Sequence, residues 1–131
     1  MIIVDTTVWI DYFRGVQNVQ TEYFDHQLGQ QPFGLTDLSL CEILQGTDEE
    51  DSFAQVLREL RRFELFETGG AGIAIEASRN SRRLRQHGHS VRKTIDCLIA
   101  TFCLLHGHSL LHRDRDFDLF EQVLGLAIVH P

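Results

Sequence analysis

Three β-branched residues in a row, Ile2-Ile3-Val4, followed at once by Asp5, constrain this chain more than any other stretch. An apolar run this short, with no polar alternation, reads as a strand covered on both faces, as in a parallel sheet. An acid directly after such a strand stands at its carboxyl end, where open α/β sheets bind ligands. The same placement suits Asp5 as N-cap of a following helix. The stretch alone leaves the two roles level.

Beyond Asp5 the chain alternates helices and strands. Val8, Trp9, Tyr12 and Phe13 share one helical face, and Gly15 stops it. A second helix is expected from Val19 to Leu28, then a very short strand after Pro32-Phe33-Gly34 ending near Thr36. From Asp37 a helix carries Leu38, Cys41 and Leu44 inward and stops at Gly46. Thr47 and Glu50 form a capping box that opens a helix to about Arg62, with Phe53, Val56, Leu57 and Leu60 inward. Phe63 to Glu67 alternates as a strand, and Gly69-Gly70 leads into a helix from Ala71 to Gln86. The spacing then predicts a helix from Thr94 to His106 with one apolar face (Ile95, Leu98, Ile99, Phe102, Leu105), a buried strand Ser109-Leu110-Leu111, a short helix from Asp114 to Leu124 and a closing strand from Leu126 to Val129. The order implies a three-layer α/β/α fold with a small parallel sheet, and the length of 131 residues implies one domain over 1–131.

Composition narrows the function. A net charge of −7 argues against a protein that binds nucleic acid by overall charge alone. The charge is uneven, however: five Arg and the only Lys lie between Arg79 and Lys93, and acids gather at Asp48-Glu49-Glu50-Asp51 and at Asp114, Asp116 and Asp118. A local basic face beside an acidic pocket is therefore compatible with the total. No apolar run reaches membrane-spanning length, and the N-terminus lacks the basic segment of a signal peptide. Cys41, Cys97 and Cys103 are odd in number without a C-x-x-C, which reads as reduced, mostly buried thiols in a cytoplasmic protein.

Four acids fall at comparable structural places. Asp5 follows the first strand and Asp114 the Leu110-Leu111 strand; Glu42 is on the helix entered from the second strand, and Asp96 is in the first turn of the helix opened by Thr94, beside its apolar stripe. Two like charges ~4 Å apart cost on the order of 1 kcal/mol in water and ~4 near a protein surface. A shared proton or a divalent cation resolves such a cluster, and all-oxygen ligands suit Mg²⁺, with Mn²⁺ able to substitute. The alternative for each acid is a helix cap or a solvated surface carboxylate.

The chain resembles a PIN-domain ribonuclease, specifically a VapC-type toxin of a bacterial type II toxin–antitoxin system. The resemblance is carried by Ile3-Val4-Asp5-Thr6-Thr7-Val8-Trp9-Ile10, by Leu38-Ser39-Leu40-Cys41-Glu42-Ile43-Leu44-Gln45-Gly46, by Lys93-Thr94-Ile95-Asp96-Cys97-Leu98-Ile99-Ala100 and by Leu110-Leu111-His112-Arg113-Asp114-Arg115-Asp116-Phe117. Each motif is weak alone, but the four run in family order over nearly the whole chain. The resemblance implies a Mg²⁺-dependent endoribonuclease acting on structured RNA, tRNA or rRNA, in the bacterial cytoplasm. Asp5, Glu42, Asp96 and Asp114 would be the catalytic acids and metal ligands, Asp116 an extra acidic ligand, and Thr6 the supporting hydroxyl. A metal-activated water would attack the phosphate in line and leave a 5′-phosphate and a 3′-hydroxyl. The implied partners are RNA, a VapB-type antitoxin that inhibits by laying a basic side chain over the acids, and a second copy in a homodimer, built into a heterotetramer or larger assembly with antitoxin. His112 departs from the family, many members of which carry Thr there.

Arg82, Arg83, Arg85, Arg113 and Arg115 are candidates for the RNA backbone, balanced by the plainer reading of solvated or locally paired charges. His87-x-His89 and His106-x-His108 lack partner ligand pairs, which disfavours zinc. Two other enzyme or signalling readings fail on position: a haloacid-dehalogenase-type phosphatase needs an acid where Thr7 stands, and a receiver domain needs a lysine after a late strand, whereas Lys93 precedes a helix. A non-enzymatic binding module remains the alternative if Asp5 and Asp114 do not converge.

Overall fold

A computed structural model of the chain describes all residues, 1–131. The elements in order are β1 (Ile2–Val4), α1 (Thr6–Phe13), α2 (Val19–Gln27), β2 (Phe33–Thr36), α3 (Asp37–Gln45), α4 (Glu50–Leu60), β3 (Glu64–Phe66), α5 (Ala71–Gln86), α6 (Thr94–His106), β4 (Ser109–Leu111) and α7 (Asp118–Leu124). The four strands form one parallel sheet in the order β3-β2-β1-β4, flanked by the seven helices.

β1 is an inner strand, and its residues alternate between two cores. Ile3 and Leu110 pack with Leu84, Ile99, Phe102, Phe117 and Phe120 on one side of the sheet. Val4, Leu111 and Leu35 pack with Val8, Trp9, Phe24 and Leu60 on the other. This double cover is why Ile2-Ile3-Val4 shows no polar alternation, and full burial of each such side chain contributes roughly 1.5–3 kcal/mol. Trp9 fixes α1 to the strand it follows. Its indole Nε1 donates to Val4 O at 3.0 Å, and its ring meets Phe24 and Phe63 edge-on at 5.0 and 4.9 Å.

Several local expectations change. α3 buries Ser39 and Ile43 and leaves Cys41 exposed, because Thr36 caps the helix directly from β2 (its Oγ1 accepts from Ser39 N–H at 3.2 Å) and so sets its rotation. Cys97 and Cys103 are buried as expected, and all three thiols are free. The Thr47–Glu50 box does not form: Thr47 Oγ1 turns back to donate to Leu44 O at 2.7 Å, and α4 starts behind Glu49 without a side-chain cap. Phe53 is exposed rather than inward. α6 is buried on more than one face, with Cys97, Ala100, Thr101 and Cys103 covered as well as Ile99 and Phe102, because it packs against both α5 and β4. Leu105, near its end, is 53% exposed.

The expected helix from Asp114 splits into a 3-10 turn, Arg115–Phe117, and then α7. Asp114 Oδ1 accepts from Asp116 N–H at 3.0 Å, a local bond that competes with α-helical pairing. The expected closing strand reduces to one bridge, Leu110 with Ile128, held by Leu110 N–H to Ala127 O and Val129 N–H to Leu110 O, both 2.9 Å. No helix is long and apolar enough to cross a membrane.

Candidate metal centre

Parallel pairing of β1 with β4 sets the end of one strand beside the end of the other, with Val4 opposite Leu111. Asp5 N–H donates to Leu111 O at 2.9 Å, so the first acid starts from the backbone of the last strand. Its side chain is 3% exposed as a residue and does cap α1: Oδ2 accepts from Thr7 N–H at 3.1 Å and from Thr7 Oγ1 at 2.7 Å. Of the two roles left level by the sequence, the cap is formed, and the same carboxylate lies close enough to Asp96 to act on its charge. Burial pushes the Asp5 carboxyl up to about 6, against the lowering effect of the Thr7 hydrogen bonds, and Glu42 adds to the rise.

Glu42 projects from α3 and accepts from Thr6 Oγ1 at 2.8 Å. Asp96, in the first turn of α6, is 6% exposed, and its Oδ2 is buried with no hydrogen-bond partner. Burial pushes its carboxyl up to about 7, followed by the charge of Asp5; Lys93 opposes the rise, and Asp114 and Glu42 add to it. Asp96, Asp114 and Asp116 each offer a carboxylate oxygen, and these lie within 4.8 Å of one another. Asp5 and Glu42 are outside that trio but near enough to act on its charge.

Three residues outside the expected ligand set shape this arrangement. Thr7 Oγ1 also accepts from Arg113 N–H at 3.0 Å, which ties Asp5 to the segment carrying the last acids. His112 Nδ1 accepts from Asp114 N–H at 3.0 Å, while its ring packs 5.0 Å from Phe117. Burial lowers the basicity of His112, in keeping with an unprotonated Nδ1. Lys93 Nζ lies 3.3 Å from Asp114 Oδ2. A Thr two residues after a capping Asp is a recognisable local signal; the other two roles need the assembled loop.

The arginines divide. Arg113 Nη1 is committed to Asp11 Oδ2 at 3.1 Å, whereas Arg115 is exposed and outside every ion pair. Arg82, Arg83 and Arg85 are exposed on α5, and Arg82 and Arg85 rim a cleft of about 460 Å³ between α5 and α6.

A buried carboxylate oxygen without a donor, two acids pushed toward neutral pH and a set of oxygen ligands fit a hard divalent cation better than they fit a protein-only network. A family profile described as the PIN domain matches residues 2–122, a span that holds all five acids. The chain belongs to the PIN-domain family. Over 128 residues, covering 96% of both chains, this PIN domain is 27% identical to a VapC ribonuclease of Mycobacterium bovis and to ribonuclease VapC11 of Mycobacterium tuberculosis. Among solved structures it shares its fold with VapBC2 of Rickettsia felis bound to a promoter DNA fragment, at a TM-score of 0.78, 16% identity and 98% cover of both chains. DNA-bound VapBC of Salmonella typhimurium gives 0.75, 18% identity and cover of 98% of this chain and 96% of that one.

Proposed function

We propose that this PIN domain, acting as one nuclease unit over 1–131, is the toxin of a toxin–antitoxin pair and a Mg²⁺-dependent endoribonuclease that cuts phosphodiester bonds in structured RNA, tRNA or rRNA. The observation that carries the reading is the trio Asp96, Asp114 and Asp116 with a buried, unpartnered Asp96 oxygen, in a member of this family. The relatives named as VapC ribonucleases support it.

The trio would hold Mg²⁺ or Mn²⁺, with Asp5 and Glu42 taking part directly or through water. When bound, the cation supplies Lewis acidity, lowering the pKa of a water and offsetting charge on the leaving 3′ oxygen. The chain's own residues do the positioning. Thr7 fixes the Asp5 carboxylate at Oδ2, and Thr6 fixes Glu42 at Oε1. His112 and Thr7 hold the backbone on either side of Arg113, and so the direction in which Asp114 is presented. Attack of water on phosphorus breaks the bond to the 3′ oxygen and leaves a 5′-phosphate and a 3′-hydroxyl. The RNA 2′-hydroxyl is not the proposed nucleophile, since no histidine pair flanks the acids: His112 Nδ1 takes the Asp114 N–H, and His106 and His108 pack beside Phe102 before β4, whereas Asp114 follows it. Arg115 and the α5 arginines Arg82, Arg83 and Arg85 serve the RNA backbone, without sequence preference, and Arg113 joins them only by leaving Asp11.

The acidic pocket also suits an inhibitor that brings a cation, which is the proposed role of a VapB-type antitoxin. Structural neighbours solved as VapBC complexes support such a partner. A homodimer, built into a heterotetramer or larger assembly with antitoxin, is the proposed assembly, and an RNA target places the work in the cytoplasm.

The test is cleavage of total bacterial RNA by the purified chain, with fragment ends mapped, in Mg²⁺, in EDTA and with Asp5→Ala. Discrete fragments with 5′-phosphates, lost under both controls, are expected. Cutting that survives EDTA overturns the metal-dependent mechanism.

A further inference from the structure

Lys93 is the one lysine in the chain, and it sits at the N-cap position of α6, three residues before Asp96. Its Nζ reaches Asp114 Oδ2 at 3.3 Å, the one ion pair that involves the acidic trio. The stem is long and its side chain 59% exposed, so the ammonium is free to leave: an ion pair this open to solvent is weak. The carboxylate that Lys93 holds, Asp114, is one of the three that offer oxygens to a cation.

We propose that Lys93 is the resident counter-ion of the acidic centre, holding Asp114 when no divalent ion is bound and giving up that carboxylate when the ion loads. This rests on the metal-dependent reading of the same centre. An ammonium and a hard cation cannot share one carboxylate oxygen at contact distance without repelling each other. Metal affinity is therefore set by competition inside the chain, and loading frees a lysine at the edge of the site.

The experiment uses the full chain and Mn²⁺ or Mg²⁺ alone. Calorimetric titration of Lys93→Met with Mn²⁺ should show binding on the order of fivefold tighter than the unaltered chain. In parallel, reductive methylation with ¹³C-formaldehyde gives one lysine signal, distinct from the α-amine of Met1, and that signal should shift during Mg²⁺ titration with the Kd that Mg²⁺ calorimetry of the same methylated chain gives. Equal or weaker Mn²⁺ binding by Lys93→Met overturns the counter-ion role and leaves the metal reading standing. Tighter binding with an unmoved lysine signal overturns the exchange. Absence of binding in both proteins overturns the metal reading and this inference together.

Discussion

Thr7 Oγ1 is a single atom with two partners from opposite ends of the chain, donating to Asp5 and accepting from Arg113 N–H. Thr7→Val removes both bonds at nearly constant volume. RNA cleavage is expected to fall roughly 10- to 100-fold, as for other residues that orient metal ligands, while Thr7→Ser keeps most of it. A second outcome concerns protons. Asp5 and Asp96 rise from the ordinary 3.8 to about 6 and about 7, so without metal the folded chain binds more protons than the unfolded chain between those values. Stability then falls as pH rises across that window. Melting temperatures in EDTA should drop from pH 5 to pH 8, and Asp96→Asn should flatten the drop. The places of Asp5, Asp96 and Asp114 were legible because strand ends and first helical turns leave a local imprint, whereas Glu42, in the middle of α3, had only its place on the helix entered from β2. The partners of Thr7, His112 and Lys93 were not, because nothing near Thr7 in sequence announces Arg113.

Among the elements, β2 shows how little room the sheet leaves. A Cβ on Gly34 would lie 2.8 Å from the Phe66 ring and 2.9 Å from Glu64 O, so Gly34→Ala should cost about 1–3 kcal/mol in denaturant unfolding. α6 carries the greater load. Ile99 is fully buried in the core beneath Asp96, and Ile99→Ala should cost about 2–5 kcal/mol. The bounds of α5 and α6 were legible from their glycine flanks and apolar spacing. The face of α3 was not, since the Thr36 cap, rather than hydrophobic periodicity, sets its rotation. The tail from Leu126 has an apolar pattern fit for a strand, yet it meets β4 at one parallel bridge only, Leu110 with Ile128. The capping box at Thr47 failed for a local reason: the carbonyl at the end of α3, Leu44 O, takes both the Thr47 N–H and its hydroxyl.

For the molecule as a whole, binding of a cation to the folded state alone should raise its stability. At a hundred times Kd the gain is about 2.7 kcal/mol, measurable as a melting shift that EDTA reverses and that Asp114→Asn abolishes. The three-layer arrangement was legible from the alternation of elements and from the unbroken β1 run; the strand order was not, since pairing partners are chosen by the tertiary fold. That order, with β1 inside between β2 and β4, has a temporal side. The strand made first must wait for the strand made last, because Ile3 pairs with Leu110. A ribosome that has released the first ninety or so residues (an order-of-magnitude mark for a chain whose non-local contacts close late) has delivered Asp5 and Glu42 but none of the trio Asp96, Asp114 and Asp116. On the proposed activity, the centre that would cut is assembled only near the end of the chain's own synthesis, when all three of its carboxylates have emerged.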